Sequence, residues 1–100
     1  MFMIKPLKEA IEESYTKIRE LEIAQLYASC YKTAWETTLS LEEDGKSYVF
    51  TGDIHAMWLR DSAMQLLPYL SMADIDVVAR ALRGVVLQQA HFIQIDPYAN

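Results

Sequence analysis

Apolar residues recur at helical spacing through the first part of the chain. Leu7, Ile11, Tyr15, Ile18 and Leu21 fall on one face, and Lys8, Glu9, Glu12, Glu13, Lys17 and Arg19 fall on the other. That division predicts an amphipathic surface helix. Pro6 suits its first turn, because the N–H that proline lacks has no partner there. The polar face reads as solvated charge with some (i, i+4) pairing, such as Glu13 with Lys17. After a break near Glu20, Ile23, Leu26, Tyr27, Cys30 and Ala34 continue a helical stripe. Cys30 lies within it and is expected to be a small buried thiol.

From Thr37 the pattern changes. Residues 37–41 and 47–51 are rich in β-formers and flank Glu42-Glu43-Asp44-Gly45-Lys46. Asp-Gly between two such runs predicts a β-hairpin, with a loop longer than two residues. Gly52 ends the second strand, and a helix is expected over residues 55–70, kinked or shortened by Pro68. Residues 71–74 form a connection in which Asp74 is placed to cap the last helix. Ile75, Val78, Ala79, Leu82, Val86 and Ile93 make one apolar face of that helix. Val77, Ala81, Val85 and Phe92 widen it so far that cover on two sides is expected. Asp96-Pro97 stops the helix. The fold class is therefore mainly α with a short β-hairpin, and no internal repeat is present.

Composition sharpens this picture. The chain has 100 residues and is 52% hydrophobic, more apolar surface than a domain of that length comfortably covers. Such a chain either associates or belongs to a larger core. A charged fraction of 23% excludes a disordered tail. Net charge is −5 and no basic run exists, so no nucleic-acid partner is expected. One cysteine permits neither an intrachain disulfide nor a cysteine-rich zinc site. Residues 1–4 are apolar but are followed by Lys5, Pro6 and Lys8. This lacks the apolar stretch of a signal peptide, and nothing downstream could span a bilayer. A cytoplasmic protein without a membrane partner is the expectation.

The chemistry is concentrated in TGDIHAMWLRDSAMQLLPYL, residues 51–70. Placed on a helix, Trp58, Asp61, Ser62 and Gln65 share one face, with Arg60 beside them and apolar residues around. Leaving one member of a buried ion pair alone costs roughly 3–5 kcal/mol. Sequence neighbours on a helix do not face each other, so Arg60 and Asp61 are not expected to satisfy one another fully. Either each charge meets a residue elsewhere in the fold, or a polar site opens at the end of this helix. Such a site would suit a sugar. A carboxylate and a guanidinium fork match vicinal hydroxyls, and an indole offers a flat platform to the C–H face of a pyranose. Asp53 and His55 are both metal-ligand types, but two candidates without a partner cluster do not make a metal site. A lone histidine at a strand-to-helix junction reads better as a capping or hydrogen-bonding residue. No metal and no cofactor is expected.

The same stretch, followed by a helix and by IDPYAN at the end, resembles glycoside hydrolase family 125, the metal-independent exo-acting α-mannosidases. The preceding EEDGKSYVFTGDI is similar to that family's hairpin. The likeness runs from about residue 21 to residue 100. Residues 1–20 form a peripheral helix without family signal. The resemblance implies that residues 1–100 are the N-terminal part of a single (α/α)6 six-hairpin barrel. It also implies inverting hydrolysis of non-reducing terminal α-1,6-linked mannose, in which one carboxylic acid protonates the leaving oxygen and a second carboxylate activates water. Those two carboxylates are expected downstream, leaving no catalytic residue in this chain. By the same resemblance Arg60 and Asp61 bind hydroxyls of the terminal mannose, and Trp58 shapes the pocket. Asp53, His55 and Asn100 are further candidates for substrate-binding roles. The implied partner is a mannose-containing oligosaccharide, and the isolated chain is expected to be inactive and to self-associate. Two other readings stay open: a six-hairpin glycosidase acting on another sugar, and a standalone helical interaction module.

Overall fold

In a computed structural model, which describes residues 3–52 and 55–98, the early helical spacing becomes two helices. Helix α1 spans Lys5–Thr16 and α2 spans Leu21–Thr38. Ile4 is extended before α1, and its carbonyl accepts the Lys8 N–H at 3.0 Å, closing the first turn around Pro6. The helix ends where the Thr16 hydroxyl bonds back to the Glu13 carbonyl at 2.7 Å, just ahead of the break expected near Glu20. Residues 1–38 form one compact unit, in which α1 packs on α2 with Leu7, Ile11, Ala24 and Trp35 buried.

Two expectations for α2 fail. Cys30 is exposed, as are Ile23 and Leu26, so the predicted stripe is not the packed one. The packed arc runs through Ala24, Ala28, Tyr31 and Trp35, one residue and hence about 100° away from Cys30. Small alanines let a helix approach closely, and the Tyr27 ring, 4.6 Å from that of Tyr31, flanks the arc. Burial, and then Tyr27, push the Tyr31 phenol above its ordinary pKa. Thr37 and Thr38 were expected in the first strand but complete α2. Their hydroxyls bond to the Thr33 and Ala34 carbonyls one turn back, a local satisfaction open to threonine inside a helix.

Residues 39–100 form the second unit. Strands β1 (Leu39–Leu41) and β2 (Ser47–Val49) pair antiparallel, with Leu39 opposite Val49, Ser40 opposite Tyr48 and Leu41 opposite Ser47. The loop between them closes as Asp44-Gly45 foretold. Gly45 takes φ +87°, and the Glu42 N–H donates to the Lys46 carbonyl at 2.8 Å. Asp44 accepts bonds from both the backbone N–H and the ammonium of Lys46, at 3.0 and 2.9 Å.

The single helix expected over residues 55–70 is two elements. Helix α3 covers only Leu59–Leu66, and a 3₁₀ helix, Leu67–Met72, follows. Pro68 explains the change: it has no N–H to continue the α ladder, and a tighter turn accommodates it. Helix α4 spans Asp76–Ile95, and Asp96 in extended conformation ends it as expected. Its N-cap is Ile75 rather than Asp74, and no side chain caps it. Asp76 instead puts a carboxylate in the first turn, where the helix dipole favours negative charge.

Helix α4 packs against β2, the 3₁₀ helix and α3. Its buried arc is Val78, Ala81, Gly84, Val85 and Gln88, shifted from the predicted face. Ala81 and Val85, which only widened the predicted face, are buried, whereas Val86 and Ile93 of that face are exposed, so cover on two sides is not found in this chain. Gly84 is what admits the hairpin. A Cβ there would lie 2.2 Å from Ser47 Oγ, 2.7 Å from the Ser47 backbone nitrogen and 2.8 Å from the Gly45 carbonyl oxygen. The fully buried Ser47 hydroxyl spends its proton on the Ala81 carbonyl at 2.9 Å. Among the described residues no helix is long and apolar enough to cross a membrane.

Candidate functional site

Where β2 leaves the hairpin, Thr51 is tied to the residues that enter α3. Its backbone N–H and its hydroxyl both donate to the Ala56 carbonyl, at 3.2 and 3.1 Å. The same hydroxyl oxygen accepts the Trp58 N–H at 3.1 Å. One buried threonine therefore fixes the approach to α3. Trp58 is the N-cap residue in extended conformation, with its indole half-exposed. Met57 lies behind it, its sulfur 3.4 Å from the Val49 nitrogen.

The first turn of α3 then divides its polar residues between two sides. Ser62 is fully buried, and Gln65 reaches inward to the Phe50 carbonyl at 3.4 Å. Arg60 and Asp61 project outward, with side chains 91% and 51% exposed. They were expected to stand in apolar surroundings, either meeting residues elsewhere in the fold or opening a polar site at the end of the helix. The structure removes that conflict, because α3 is not buried all round: Leu59 and Met64 are exposed too. Arg60 Nε lies 3.6 Å from Asp61 Oδ1, a loose contact in solvent, and such pairs are worth about 0–1 kcal/mol. Both groups keep most of their hydrogen-bonding capacity free for a ligand.

His55 takes a different place from a capping residue. Its ring is exposed, stacks on the half-buried Tyr48 at 5.4 Å and packs edge-on with the half-buried Phe50 at 4.9 Å, at the end of the hairpin. Asp53 and Asn100 lie outside the described residues. Among the described residues no group of three histidine, cysteine or carboxylate side chains is placed to hold a metal ion. The structure thus brings Trp58, Arg60 and Asp61 to one exposed turn, with His55 in the segment that leads to it.

A cleft of about 290 Å³ opens between that segment and the end of α4, lined by Ala56, Met57, Leu59, Phe92, Ile93 and Asp96, among others. Its walls are mainly apolar. Among the described residues Asp96 is its one carboxylate, and Asp96 Oδ1 accepts the Tyr98 N–H at 3.0 Å. Two residues that organise this region escaped the sequence reading. Thr51 looked like an ordinary strand residue. Gln89 was hidden within the apolar run of α4, although Gln88-Gln89 interrupting Val85-Val86-Leu87 and Ala90 was a visible signal. Its carboxamide nitrogen lies 2.9 Å from both the Leu59 carbonyl and Ser62 Oγ.

Known proteins share this arrangement of elements. The family model described as metal-independent alpha-mannosidase (GH125) matches residues 20–100. The Meiotically up-regulated gene 157 protein of Schizosaccharomyces pombe is 34% identical over 104 residues, covering 99% of this chain and 20% of that protein. A solved metal-independent α-mannosidase from Streptococcus pneumoniae, in a non-productive complex with α-1,6-mannobiose, matches with a TM-score of 0.85 at 38% identity. That match covers 95% of this chain and 23% of the other, whose fold is an (α/α)6 barrel. The chain spans about a fifth of the length of these relatives.

Proposed function

Because the chain belongs to glycoside hydrolase family 125, the metal-independent α-mannosidases, we propose that it forms part of an enzyme releasing non-reducing terminal α-1,6-linked mannose with inversion. In this reading Arg60 and Asp61 hold hydroxyls of the terminal sugar, and Trp58 presents its indole beside them. The observation that carries the proposal is the exposed Arg60–Asp61 pair beside a half-exposed tryptophan, on a turn whose backbone is fixed from behind. A guanidinium and a carboxylate whose one ion pair among the described residues is a loose contact with each other can exchange water for sugar hydroxyls at little cost. The α-1,6-mannobiose in the Streptococcus pneumoniae neighbour supports the choice of sugar.

The acid that protonates the leaving oxygen and the base that activates water are supplied by sequence beyond these residues, and the 100-residue chain alone is inactive. Its exposed Leu26, Val86 and Ile95 favour self-association of the isolated chain, since apolar area removed from water gains about 25 cal/mol per Å². An assay of the complete enzyme on α-1,6-mannobiose, with the anomeric form of the product followed by NMR, tests the activity. Release of β-mannose, undiminished by a chelator, is expected. A preference for α-glucosides, retention of configuration, or loss of activity in EDTA reversed by added metal would overturn it.

A further inference from the structure

Nothing on the side chains of Arg60 and Asp61 fixes where they point. Among the described residues their one ion pair is the loose contact with each other, so their direction is set by the backbone of the turn that carries them. That turn has no side-chain cap, and α3 has only eight residues, too few to hold a helix by its own hydrogen bonds. Something outside α3 must hold it in register. On one side the Thr51 hydroxyl takes the Trp58 N–H. On the other, α4 supplies Gln89.

We propose that Gln89 is a positioning residue for the sugar-binding turn. Its side-chain amide locks Leu59 and Ser62, the two residues that bracket Arg60 and Asp61, against α4. The inference rests on the reading of Arg60 and Asp61 as sugar ligands. The donor assignment follows from the partners. The Leu59 carbonyl carries no proton, so the group 2.9 Å from it must be the NH2 end of the amide. The second amide proton goes to Ser62 Oγ at 2.9 Å, leaving the Ser62 hydroxyl to donate its own proton to the Leu59 carbonyl at 3.1 Å. Every proton in this triangle has an acceptor. Ser62 is fully buried, so on its side these bonds are shielded from bulk water. The two bonds span 30 and 27 residues of sequence, which makes them tertiary ties rather than helix caps.

Glutamate has the shape of glutamine but no amide protons, so Gln89→Glu turns the contact with the Leu59 carbonyl from attraction to repulsion. Gln89→Leu removes the polar group with little change of volume. In the complete enzyme, each variant is expected to lower kcat/KM on α-1,6-mannobiose by about tenfold, the scale of a small misplacement of binding groups. The deciding measurement is a double-mutant cycle with Asp61→Ala. If Gln89 acts by aiming Asp61 and Arg60, Gln89→Leu adds little further loss once Asp61 is gone. Fully additive losses, or a Gln89→Leu enzyme with unchanged kcat/KM beside an impaired Asp61→Ala enzyme, would overturn the positioning role. An Asp61→Ala enzyme with wild-type kcat/KM would instead remove the sugar-binding reading and the positioning role with it. Ser62→Ala, which deletes the relay hydroxyl but spares the bond to Leu59, provides an independent check should the Gln89 variants fold poorly. It should give a smaller loss that is likewise non-additive with Asp61→Ala.

Discussion

Helix α4 touches its neighbours in two opposite ways along its length. At Gly84 it meets the hairpin almost backbone to backbone, with Ser47 filling the only space and no room for a Cβ. Five residues on, at Gln89, it reaches α3 through a flexible amide, and the turn it holds presents Arg60 and Asp61 to solvent. The first contact excludes water and leaves nothing accessible. The second fixes a backbone while keeping charged groups free. If Arg60 and Asp61 hold sugar as proposed, stability and ligand binding fall to different stretches of one helix, and substitutions should separate them.

The largest effect is expected at the close-packed end. Gly84→Val places a branched side chain against backbone atoms of Ser47 and Gly45 that cannot rotate away. Overpacking of this kind typically costs 1–3 kcal/mol, and about 3 kcal/mol is expected here, because the obstacles include main chain. Urea unfolding of the complete enzyme measures it, with activity per folded molecule little changed. A variant as stable as wild type would show that the hairpin is not seated as described.

At the other end the pattern should reverse. Arg60→Ala and Asp61→Ala in the complete enzyme are each expected to lower kcat/KM by about ten- to a hundredfold, from charged hydrogen bonds worth roughly 1.5–3 kcal/mol. Their melting temperatures should stay close to wild type, because neither side chain is buried and their mutual pair is loose. A variant that melts far below wild type yet keeps normal activity per folded molecule would make the pair structural and erase the contrast.

The smallest effect concerns the hairpin loop. The Lys46 ammonium and backbone N–H hold the Asp44 carboxyl below the usual aspartate pKa. A depressed folded-state pKa contributes stability that is present above the unfolded value and is lost as pH falls through the folded one. Asp44→Asn should therefore lower the melting temperature slightly near neutrality. The difference from wild type should close in acid, below the ordinary aspartate range. A difference that is independent of pH would mean that the loop owes nothing to this carboxylate.

Much of the architecture is local and was legible in residue order. The break before Leu21, the Asp44-Gly45 turn, the disturbance at Pro68 and the stop at Asp96-Pro97 each depend on the conformational range of a few adjacent residues. The dense motif from Thr51 to Leu70 carried the family likeness in the same way, and the match over residues 20–100 agrees with it. What residue order left open was which arc of a helix faces inward. Cys30 and Val86 have the right hydrophobicity and spacing, yet both are exposed. An apolar arc wider than one neighbour can cover leaves several rotations of similar merit, and the choice falls to the shape of what packs against it. Small residues mark the chosen arc: Ala24 in α2 and Gly84 in α4 are both buried. Their role is to be absent from the space a neighbour needs, and no local pattern records that. The exposure of Arg60 and Asp61 and the grip of Gln89 on their turn belong to the same class. They join atoms about thirty residues apart, and only the packed chain brings those atoms within a hydrogen bond's length.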